Sequence, residues 1–357
     1  MKIKILTFFN VGNPGADLQA YALCRYLSQE GHEPELIDYR PQAIRQAKGP
    51  VAGLADSLPF LPKRLWGAYP GFHRDVCPDT GQRYEEYAQL RHDPPPADAY
   101  ICGSDQIWNP KLLGGRVDPA YYLDFGPDRI RRISYAASFG GTTLSADQRD
   151  DARQLLQKLD YISVREKSGA EQVRDICGRE AAITVDPAIL VEDYGPVCAN
   201  NREPGSYFLL YPVVKTKEAY TAALRAARAA GKPLLTIASS LRPWSVPGRP
   251  VRPRGLAEWL GLFKNADCVI TNSYHGTICA LHFHRPFVVV PLSGDISSRN
   301  VRLEELCAAL GLEERVADGA GKDVKDAMKG RISWQQVEKG FAEKREHSKA
   351  FLREALS

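Results

Sequence analysis

A polar cluster with the sequence NSYHGT lies between two apolar runs of the chain. It follows a predicted strand, DCVIT, and precedes a predicted helix. The N-terminus of a helix offers free N–H groups and the positive end of the helix dipole, which favour phosphate or carboxylate. A histidine beside it can supply a proton or a hydrogen bond to an anion near neutral pH. The pattern predicts an anion site with His275 as the chemical group and with contacts from Asn272, Ser273, Gly276 and Thr277.

The same cluster also has a purely structural interpretation. His275 can be a buried histidine with satisfied hydrogen bonds, Asn272 a turn former and Gly276 a packing glycine. His282 and His284 lie farther along, in the following helix and turn, where packing or surface roles are expected. The strand-end position does not separate the two interpretations, because it concerns place and not chemistry.

A second polar cluster, GSDQIWNP, follows the buried run AYIC. Asp105 can orient or deprotonate a sugar hydroxyl, and Trp108 can stack on a sugar ring. Ser104 and Gln106 would complete the contacts with such an acceptor. The alternative is a turn in which Ser104 or Asp105 caps a helix and Trp108 belongs to the core, and for Trp108 the core is the favoured role.

Two arginines are candidates for binding an anion. Arg165 follows the predicted strand YISV, and a guanidinium is suited to bidentate binding of carboxylate or phosphate. The adjacent Glu166 offers a simpler role, an ion pair with Arg165. Arg299, in SGDISSRN before a predicted helix at 300–310, is a similar but weaker candidate.

A third polar loop, NVGNPG, follows the first predicted strand, and Asn13 and Gln19 are candidates for acceptor contact there. Its spacing matches neither GxGxxG nor the P-loop, so a dinucleotide or nucleoside triphosphate motif is unsupported. The sequence has no metal-spaced His/Cys/Asp cluster, no GxSxG and no Cys paired with a base. We therefore expect no metal and no cofactor, with positive charge supplied by arginines and helix ends.

Alternating strands and helices place each of these loops at the end of a strand. Residues 3–39 predict a strand, a helix from Asp17 to Gln29 with Asp17 as its cap, and a second strand. Ser145 and Gln148 approximate a capping box for a later helix. In an open α/β sheet the ligand lies beyond the carboxyl ends of the strands, which is where these polar loops fall.

The alternation of strands and helices breaks at 41–96 and again between 192 and 205. The second break predicts two lobes. Residues 41–96 are rich in Pro, Arg and Gly and predict a mostly irregular excursion with short helices near the working face. We expect an α/β fold of two Rossmann-like lobes facing a cleft, which is a GT-B-like architecture. The first lobe, on the acceptor side, covers 1–192, and the second, on the donor side, covers 205–332. A terminal helix at 333–357 is expected to pack back on the first lobe.

Composition excludes several classes of protein. At 357 residues the chain exceeds the usual size of a single core, and 44% hydrophobic residues are typical of a globular protein. A net charge of +4 without a dense Lys/Arg block argues against a nucleic-acid partner. The eight cysteines lack CxxC pairs, which predicts reduced thiols in a cytoplasmic protein. No run of about 18 apolar residues is present, so membrane contact, at the inner face, would be peripheral.

Several motifs in order resemble the polysaccharide pyruvyl transferases. They are GNPGADLQAYAL, ICGSDQIWNP, RISYAASFG, SVREKSGAEQV, ITVDPAIL and ADCVITNSYHGTICALHFHRPFVVV, spread over about 300 residues. The resemblance implies a GT-B-like fold and an enzyme that moves the enolpyruvyl unit of phosphoenolpyruvate onto a sugar, forming a cyclic ketal. It also implies donor handling by His275, in the family's S-[FY]-H-G-T motif, and by Arg165, in its S-V-R-[ED] motif.

One motif departs from the family pattern. The first loop reads NPGAD where N-x-G-D is common, so Asp17 falls one residue late and Pro14 stands where an aromatic is frequent. The implied partners are phosphoenolpyruvate as donor substrate and a sugar or lipid-linked oligosaccharide as acceptor. The segment 41–96 is expected to decide which acceptor is used.

Two other functions are compatible with the sequence. One is a GT-B glycosyltransferase that uses a nucleotide sugar, although the second lobe has no evident acidic residue placed for a ribose. The other is a non-catalytic protein that binds an anionic glycan through Arg/Trp-rich loops at 60–75 and 241–255. Most arginines in those loops also fit a solvated role around proline turns.

Overall fold

The computed structural model describes residues 1–9, 11, 13–47, 77–198, 206–238, 246–317, 327–328 and 330–357. The chain divides into two compact units. Unit 1 contains the described residues up to Val191 together with Glu343–Ser357, and unit 2 contains those within Glu192–Ala342. The loop at 60–75 and the start of the loop at 241–255 lie outside the described residues.

Unit 1 is built on a seven-stranded sheet in which all neighbouring strands are parallel. Its strands are β1 (Lys2–Leu6), β2 (Glu33–Tyr39), β3 (Asp79–Tyr84), β4 (Ala99–Cys102), β5 (Arg131–Ala137), β6 (Tyr161–Val164) and β7 (Ala182–Ile183). The strand order is β3-β2-β1-β4-β5-β6-β7. The order reverses between β1 and β4, which is the arrangement of a Rossmann-like fold.

The described residues up to Val191 also form six α-helices. They are α1 (Pro14–Gln29), α2 (Gln42–Ala47), α3 (Tyr87–His92), α4 (Ala146–Leu156), α5 (Lys167–Cys177) and α6 (Pro187–Leu190). The capping box of Ser145 and Gln148 at α4 is confirmed. The predicted start of α1 at Asp17 is wrong, because Asn13 caps the helix and Pro14 occupies its first position.

The prediction of an irregular excursion at 41–96 is also wrong in part. The short helices α2 and α3 lie inside it as expected, but so does strand β3, which pairs with β2 at the edge of the sheet. The sequence of β3, DTGQRY, has no apolar run because most of its residues are exposed. Such an edge strand lacks the pattern by which buried parallel strands are found.

Unit 2 contains a five-stranded parallel sheet of the order β10-β9-β8-β11-β12. Its strands are β8 (Phe208–Tyr211), β9 (Leu234–Ile237), β10 (Arg249–Val251), β11 (Cys268–Thr271) and β12 (Phe287–Val289). Its helices are α7 (Lys217–Ala229), α8 (Leu256–Lys264), α9 (Tyr274–His282) and α10 (Val301–Ala308). The described part of the loop predicted at 241–255 includes β10, an edge strand that the sequence did not indicate.

The last helix, α11 (Trp334–Leu356), confirms the expected packing on the first lobe. In unit 1, the Val185 N–H donates to Ser348 Oγ at 2.9 Å, and Arg345 Nε donates to the Ile189 carbonyl at 2.8 Å. The Phe351 ring lies 6.4 Å from the ring of Tyr135. The end of the chain thereby contributes apolar and polar contacts to the core of unit 1.

The cysteines differ in part from the prediction. Cys24 on α1 and Cys77, just before β3, form a disulfide across 53 residues of sequence. The other six cysteines are free, as expected. A pair this far apart in sequence shows no spacing signature, and only the fold brings it together. In the part of the chain that the structure describes, no helix is long and apolar enough to cross a membrane.

Candidate functional site

The two main polar clusters lie at equivalent places in the two units. The loop after β4 begins where β4 neighbours β1, and the loop after β11 begins where β11 neighbours β8. In each sheet the strand order reverses between these two strands. This is the topological switch point, at which open α/β sheets bind their ligands.

In unit 2, Asn272 fixes the loop that follows β8. Its Oδ1 accepts hydrogen bonds from the backbone N–H groups of Val213 and Val214, at 2.9 and 3.3 Å. Its Nδ2 donates to the Val214 carbonyl at 2.6 Å. The side chain therefore continues the hydrogen bonding between β8 and β11 beyond the ends of both strands.

Ser273 forms the N-cap of α9. Its Oγ accepts a hydrogen bond from the Gly276 N–H at 3.2 Å, and its carbonyl accepts one from Thr277 Oγ1 at 3.1 Å. Thr277 is fully buried. The side chains of Ser273 and Thr277 thus have hydrogen bonds within the helix end, so any contact they make with a ligand adds to a capping role.

Gly276 is required by its neighbours within the protein. A Cβ at this position would lie 2.7 Å from Thr271 Oγ1 and 2.8 Å from Tyr211 Cδ1. These distances are shorter than real Cβ contacts, so only glycine allows α9 to approach the ends of β8 and β11 this closely. The packing interpretation of Gly276 is confirmed.

His275 lies in the first turn of α9 and is 5% exposed. The rings of His275 and Tyr274 pack edge to face, with their centroids 5.5 Å apart and an angle of 85° between the ring planes. The guanidinium of Arg302 lies 5.7 Å from the Tyr274 ring centre. His275 therefore packs against the Tyr274 ring, which in turn has a cation over it.

Two further cations follow the strands on either side of β11. Arg299 is half-buried in the 3₁₀ helix Gly294–Asn300, which follows β12. Lys215 is exposed in the loop after β8, directly after the Val214 that Asn272 holds. Because the strands are parallel, the loops that carry both cations begin at the carboxyl ends of the strands, where α9 also begins.

In unit 1, Gln19 joins the loops that follow β1 and β4. Its Nε2 donates to Thr7 Oγ1, at 3.0 Å, to the Phe8 carbonyl in the first loop and to the Ala16 carbonyl in α1. Its Oε1 accepts from the Ser104 N–H at 3.1 Å. Gln19 is fully buried, so these contacts favour a positioning role over the predicted contact with an acceptor.

A buried ionic cluster surrounds Arg165. Its Nη1 lies 2.8 Å from Asp186 Oδ2, its Nε 2.9 Å from Glu166 Oε1, and its Nη2 4.0 Å from Asp105 Oδ1. The Oγ of Ser104 also lies 3.0 Å from Asp186 Oδ2. The ion pair of Arg165 with Glu166 is present, and the prediction that Arg165 contacts a donor stays a prediction.

The remaining predicted acceptor residues divide between loop and core. Trp108 is buried, stacks on Tyr122 with ring centres 5.0 Å apart, and donates from Nε1 to the Tyr121 carbonyl at 3.0 Å. Gln106 is partly exposed and accepts from Asn109 Nδ2 at 2.9 Å. The favoured core role of Trp108 is confirmed, whereas the cap predicted at Ser104 or Asp105 is not formed: Asn109 caps the 3₁₀ turn Pro110–Leu112 instead. Asn13 likewise acts as the cap of α1.

Burial keeps the nearby thiol and phenol neutral. It raises the pKa of the Cys102 thiol, at the end of β4, and the pKa of the Tyr122 hydroxyl beside Trp108. A thiol in this state is a poor nucleophile. Among the described residues, no group of three or more His, Cys, Asp or Glu side chains is arranged to hold a metal ion.

A family model for polysaccharide pyruvyl transferases matches residues 13–294. The chain belongs to this family. The match includes both polar clusters at the switch points and the ionic cluster around Arg165, whereas Arg299 lies beyond its end. Membership in the family makes the protein a pyruvyl transferase that acts in polysaccharide biosynthesis.

Several solved structures share the fold of this pyruvyl transferase. The UDP-GlcNAc 2-epimerase from Methanocaldococcus jannaschii is 12% identical, with 100% of each chain covered and a TM-score of 0.54. S. aureus MnaA, solved with UDP, is 12% identical over 97% of this chain and 91% of its own, with a TM-score of 0.52. UGT89C1 of Arabidopsis thaliana, solved with quercetin, is 12% identical over 99% and 98%, with a TM-score of 0.51. These similarities confirm the GT-B-like class of two Rossmann-like lobes. No curated protein matches the chain in sequence.

Sequence reasoning missed two charged residues of these loops, Asp186 and Lys215, and did not count Glu166 as a site residue. Asp186 lies within the family motif ITVDPAIL. It could have been recognised as a helix cap, because it is an Asp directly before a Pro at the start of a helix. Glu166 was considered only as a simple pair of Arg165. Lys215 follows the apolar run of β8, and its nearness to Asn272 appears only once β8 and β11 are known to be neighbours.

Proposed function

We propose that the protein transfers the enolpyruvyl group of phosphoenolpyruvate to hydroxyls of a sugar or glycan, forming a pyruvate ketal and releasing phosphate. The observation that carries this proposal is the family match over residues 13–294. Its most distinctive motif, SYHGT, forms the cap and first turn of a helix at the switch point of unit 2. No cofactor takes part in the proposed reaction.

The donor has a phosphate and a carboxylate, and the residues around α9 match that charge. The first turn of the helix supplies the positive end of the helix dipole. Arg299 and Lys215 lie beyond the same sheet edge and can balance the two anionic groups. We assign donor binding to this helix end, with polar support from Asn272, Ser273 and Thr277.

His275 supplies the proton or the phosphate contact in this proposal. Protonation of the donor's methylene carbon creates an oxocarbenium-like centre at C2. The oxygen of the first sugar hydroxyl attacks this centre and forms a bond to C2. The C2–O bond to phosphate then breaks, the phosphate leaves with its bonding electrons, and the second hydroxyl closes the ring. The two hydroxyls lose one proton each, so one proton goes to the methyl carbon and one to the departing phosphate. A positioned imidazole typically contributes about 10²–10⁴-fold to such a proton transfer.

Asp105 is the proposed acceptor of a hydroxyl proton. It lies at the switch point of unit 1 and adopts a left-handed backbone conformation, with φ of 70°. Ser104 and Gln106 flank it, and Arg165 lies within reach of its carboxylate. The burial of Arg165 supports a role in holding this carboxylate, in addition to the donor handling that the family resemblance implies.

The acceptor is a sugar or a lipid-linked oligosaccharide, and we propose that the protein acts in the cytoplasm, with peripheral contact at the inner face of the membrane. The direct test is phosphate release from phosphoenolpyruvate with a panel of free sugars and lipid-linked oligosaccharides. Phosphate and a product heavier by the pyruvate ketal are expected with at least one acceptor. A parallel panel of UDP-sugars tests the glycosyltransferase alternative, and transfer from a UDP-sugar without use of phosphoenolpyruvate would overturn the proposal.

Replacement of His275 by Ala tests the assigned chemistry. We expect the His275→Ala variant to lose about 10²-fold or more in kcat, because the proton donor or phosphate contact is removed. His284→Ala is the control, since His284 is exposed and pairs with Glu338 outside this loop. Phosphate release measures turnover, and circular dichroism checks the fold. A folded His275→Ala protein with near-normal turnover would exclude the residue from the reaction.

A further inference from the structure

We propose that Asp186 is a positioning residue of the transfer reaction, which holds Arg165 and the turn at Ser104 and Asp105 in their working geometry. This inference rests on the proposed function and adds a residue to it. Asp186 is fully buried between β7 and α6, and its two carboxylate oxygens have different partners.

One oxygen of Asp186 serves the local fold. Its Oδ1 accepts a hydrogen bond from the Ala188 N–H at 3.0 Å and so caps α6. The other oxygen serves the switch-point loop, since Oδ2 lies 2.8 Å from Arg165 Nη1 and 3.0 Å from Ser104 Oγ. A single carboxylate therefore joins three segments that are far apart in sequence.

Burial decreases step by step from Asp186 toward Asp105. The side chain of Asp186 is 0% exposed, that of Arg165 1% and that of Asp105 10%. Asp105 is thus the outermost member of the chain of contacts that Asp186 begins. Because charges this deep are strongly held by their partners, removing one carboxylate frees the guanidinium to move or to pair elsewhere.

The backbone at Asp105 gives an independent reason for this support. Its φ of 70° lies in the left-handed region, which is uncommon for a residue other than glycine. Such a conformation persists only when the surroundings hold it, and it concentrates at functional sites. Ser104, the residue before it, is held through its Oγ by Asp186 and through its N–H by Gln19.

A capping role alone is the competing explanation, and the chain contains a matched control for it. Asp118 also precedes a proline and caps a turn, accepting from the Ala120 N–H at 3.0 Å with its Oδ1. Its second oxygen accepts from the Tyr39 hydroxyl at 2.8 Å and makes no contact with Arg165 among the contacts of the described residues. Asp118→Asn therefore shows the effect of neutralising a partly buried cap outside the cluster.

The test compares Asp186→Asn with Asp118→Asn in the full chain. We expect Asp186→Asn to lower kcat by about 100-fold through misplacement of the cluster, with KM for phosphoenolpyruvate changed much less. Asp118→Asn should keep wild-type kcat. Arg165→Lys should also lower kcat, and the double variant should be no slower than the slower single variant, because both changes break one unit.

Each other outcome overturns the inference. A kcat of Asp186→Asn within twofold of wild type, or effects of Asp186→Asn and Arg165→Lys that multiply, would show that Asp186 does not act through Arg165. Asp186→Ser keeps a capping oxygen but is too short to reach Arg165, and it is the second variant in case Asp186→Asn does not fold. If both unfold, the residue serves stability alone. Absence of turnover in wild type with every acceptor refutes the proposed function and this inference together, whereas an active Asp186→Asn refutes only the inference.

Discussion

At the scale of single residues, several side chains that have the right type for chemistry are used to hold the protein together. Gln19 lies near the start of α1 and joins two loops, and Trp108 lies in the polar loop after β4 and fills the core. Gly276 lies in the most distinctive motif, and a glycine is required at this position because Thr271 and Tyr211 are so close. In this motif a packing requirement and a proposed chemical role lie on adjacent residues.

Gly276→Ala should destabilise the protein. The new Cβ would meet Thr271 Oγ1 at 2.7 Å and Tyr211 Cδ1 at 2.8 Å, and both of these side chains are buried. We expect overpacking to exceed the gain in helix propensity and to lower the free energy of unfolding by about 2 kcal/mol. Urea denaturation measures the change.

Gly255→Ala is the matched control for this substitution. Gly255 precedes α8, has an extended backbone, and has nothing within 4 Å of the position that a Cβ would occupy. Its replacement should lower the unfolding free energy by no more than about 1 kcal/mol, because Gly255 is the N-cap of α8 and glycine is preferred to alanine there. Equal stabilities of the Gly276→Ala and Gly255→Ala proteins would contradict the close packing of α9.

At the scale of elements, side chains extend the hydrogen bonding of strands into the loops that follow them. Asn272 does this between β11 and the loop after β8, and Gln19 does it between the loops after β1 and β4. Both are amides, which can donate and accept at once. The two switch points are therefore given fixed backbone geometry by one amide side chain each.

Asn272→Ala should loosen the loop after β8. The substitution removes one acceptor shared by Val213 and Val214 N–H groups and one donor to the Val214 carbonyl. We expect the unfolding free energy to fall by about 1–3 kcal/mol and the Val213 and Val214 amides to exchange faster with solvent, because their partner is lost. Hydrogen exchange followed by mass spectrometry on peptides from this loop measures it.

Asn265→Ala serves as the control, because the Asn265 side chain donates from Nδ2 to the Gly261 carbonyl at the end of α8, away from the loop after β8. Exchange in the loop after β8 should be unchanged in that variant. If Asn272→Ala left exchange at Val213 and Val214 as slow as in wild type, the assigned contacts would be wrong.

At the scale of the whole molecule, the sequence predicts the buried framework well and the edges poorly. The strands AYIC, YISV and CVIT are mostly apolar because both faces of a parallel sheet are covered. The edge strands β3 and β10, with the sequences DTGQRY and RPV, carry no such pattern.

The candidate site could be located from the sequence but not assembled. Strand ends identified the loops of His275 and Asp105, whereas the strand order that makes them switch points depends on pairing between distant segments. Of the partners of Arg165, the adjacent Glu166 was anticipated from the sequence, whereas Asp186 was out of reach. Asp186 is 21 residues away in sequence, and only the adjacency of β6 and β7 brings its loop to the end of β6.

The disulfide between Cys24 and Cys77 is a property of the whole chain that a thiol count can test. All eight cysteines lie in the described residues, and six of them are free. Protein purified without reductant should therefore show six reactive thiols in denaturant, and eight after reduction.

Closing a loop across 53 residues stabilises the fold by about 4 kcal/mol through loop-closure entropy, so reduction should lower the melting temperature. Cys24 and Cys77 are each 2% exposed. This burial slows access of a reductant and allows the disulfide to persist in a reducing environment. The Cys102→Ala variant should lose one thiol from each count, and eight thiols in the unreduced wild-type protein would show that α1 and the start of β3 are not joined covalently.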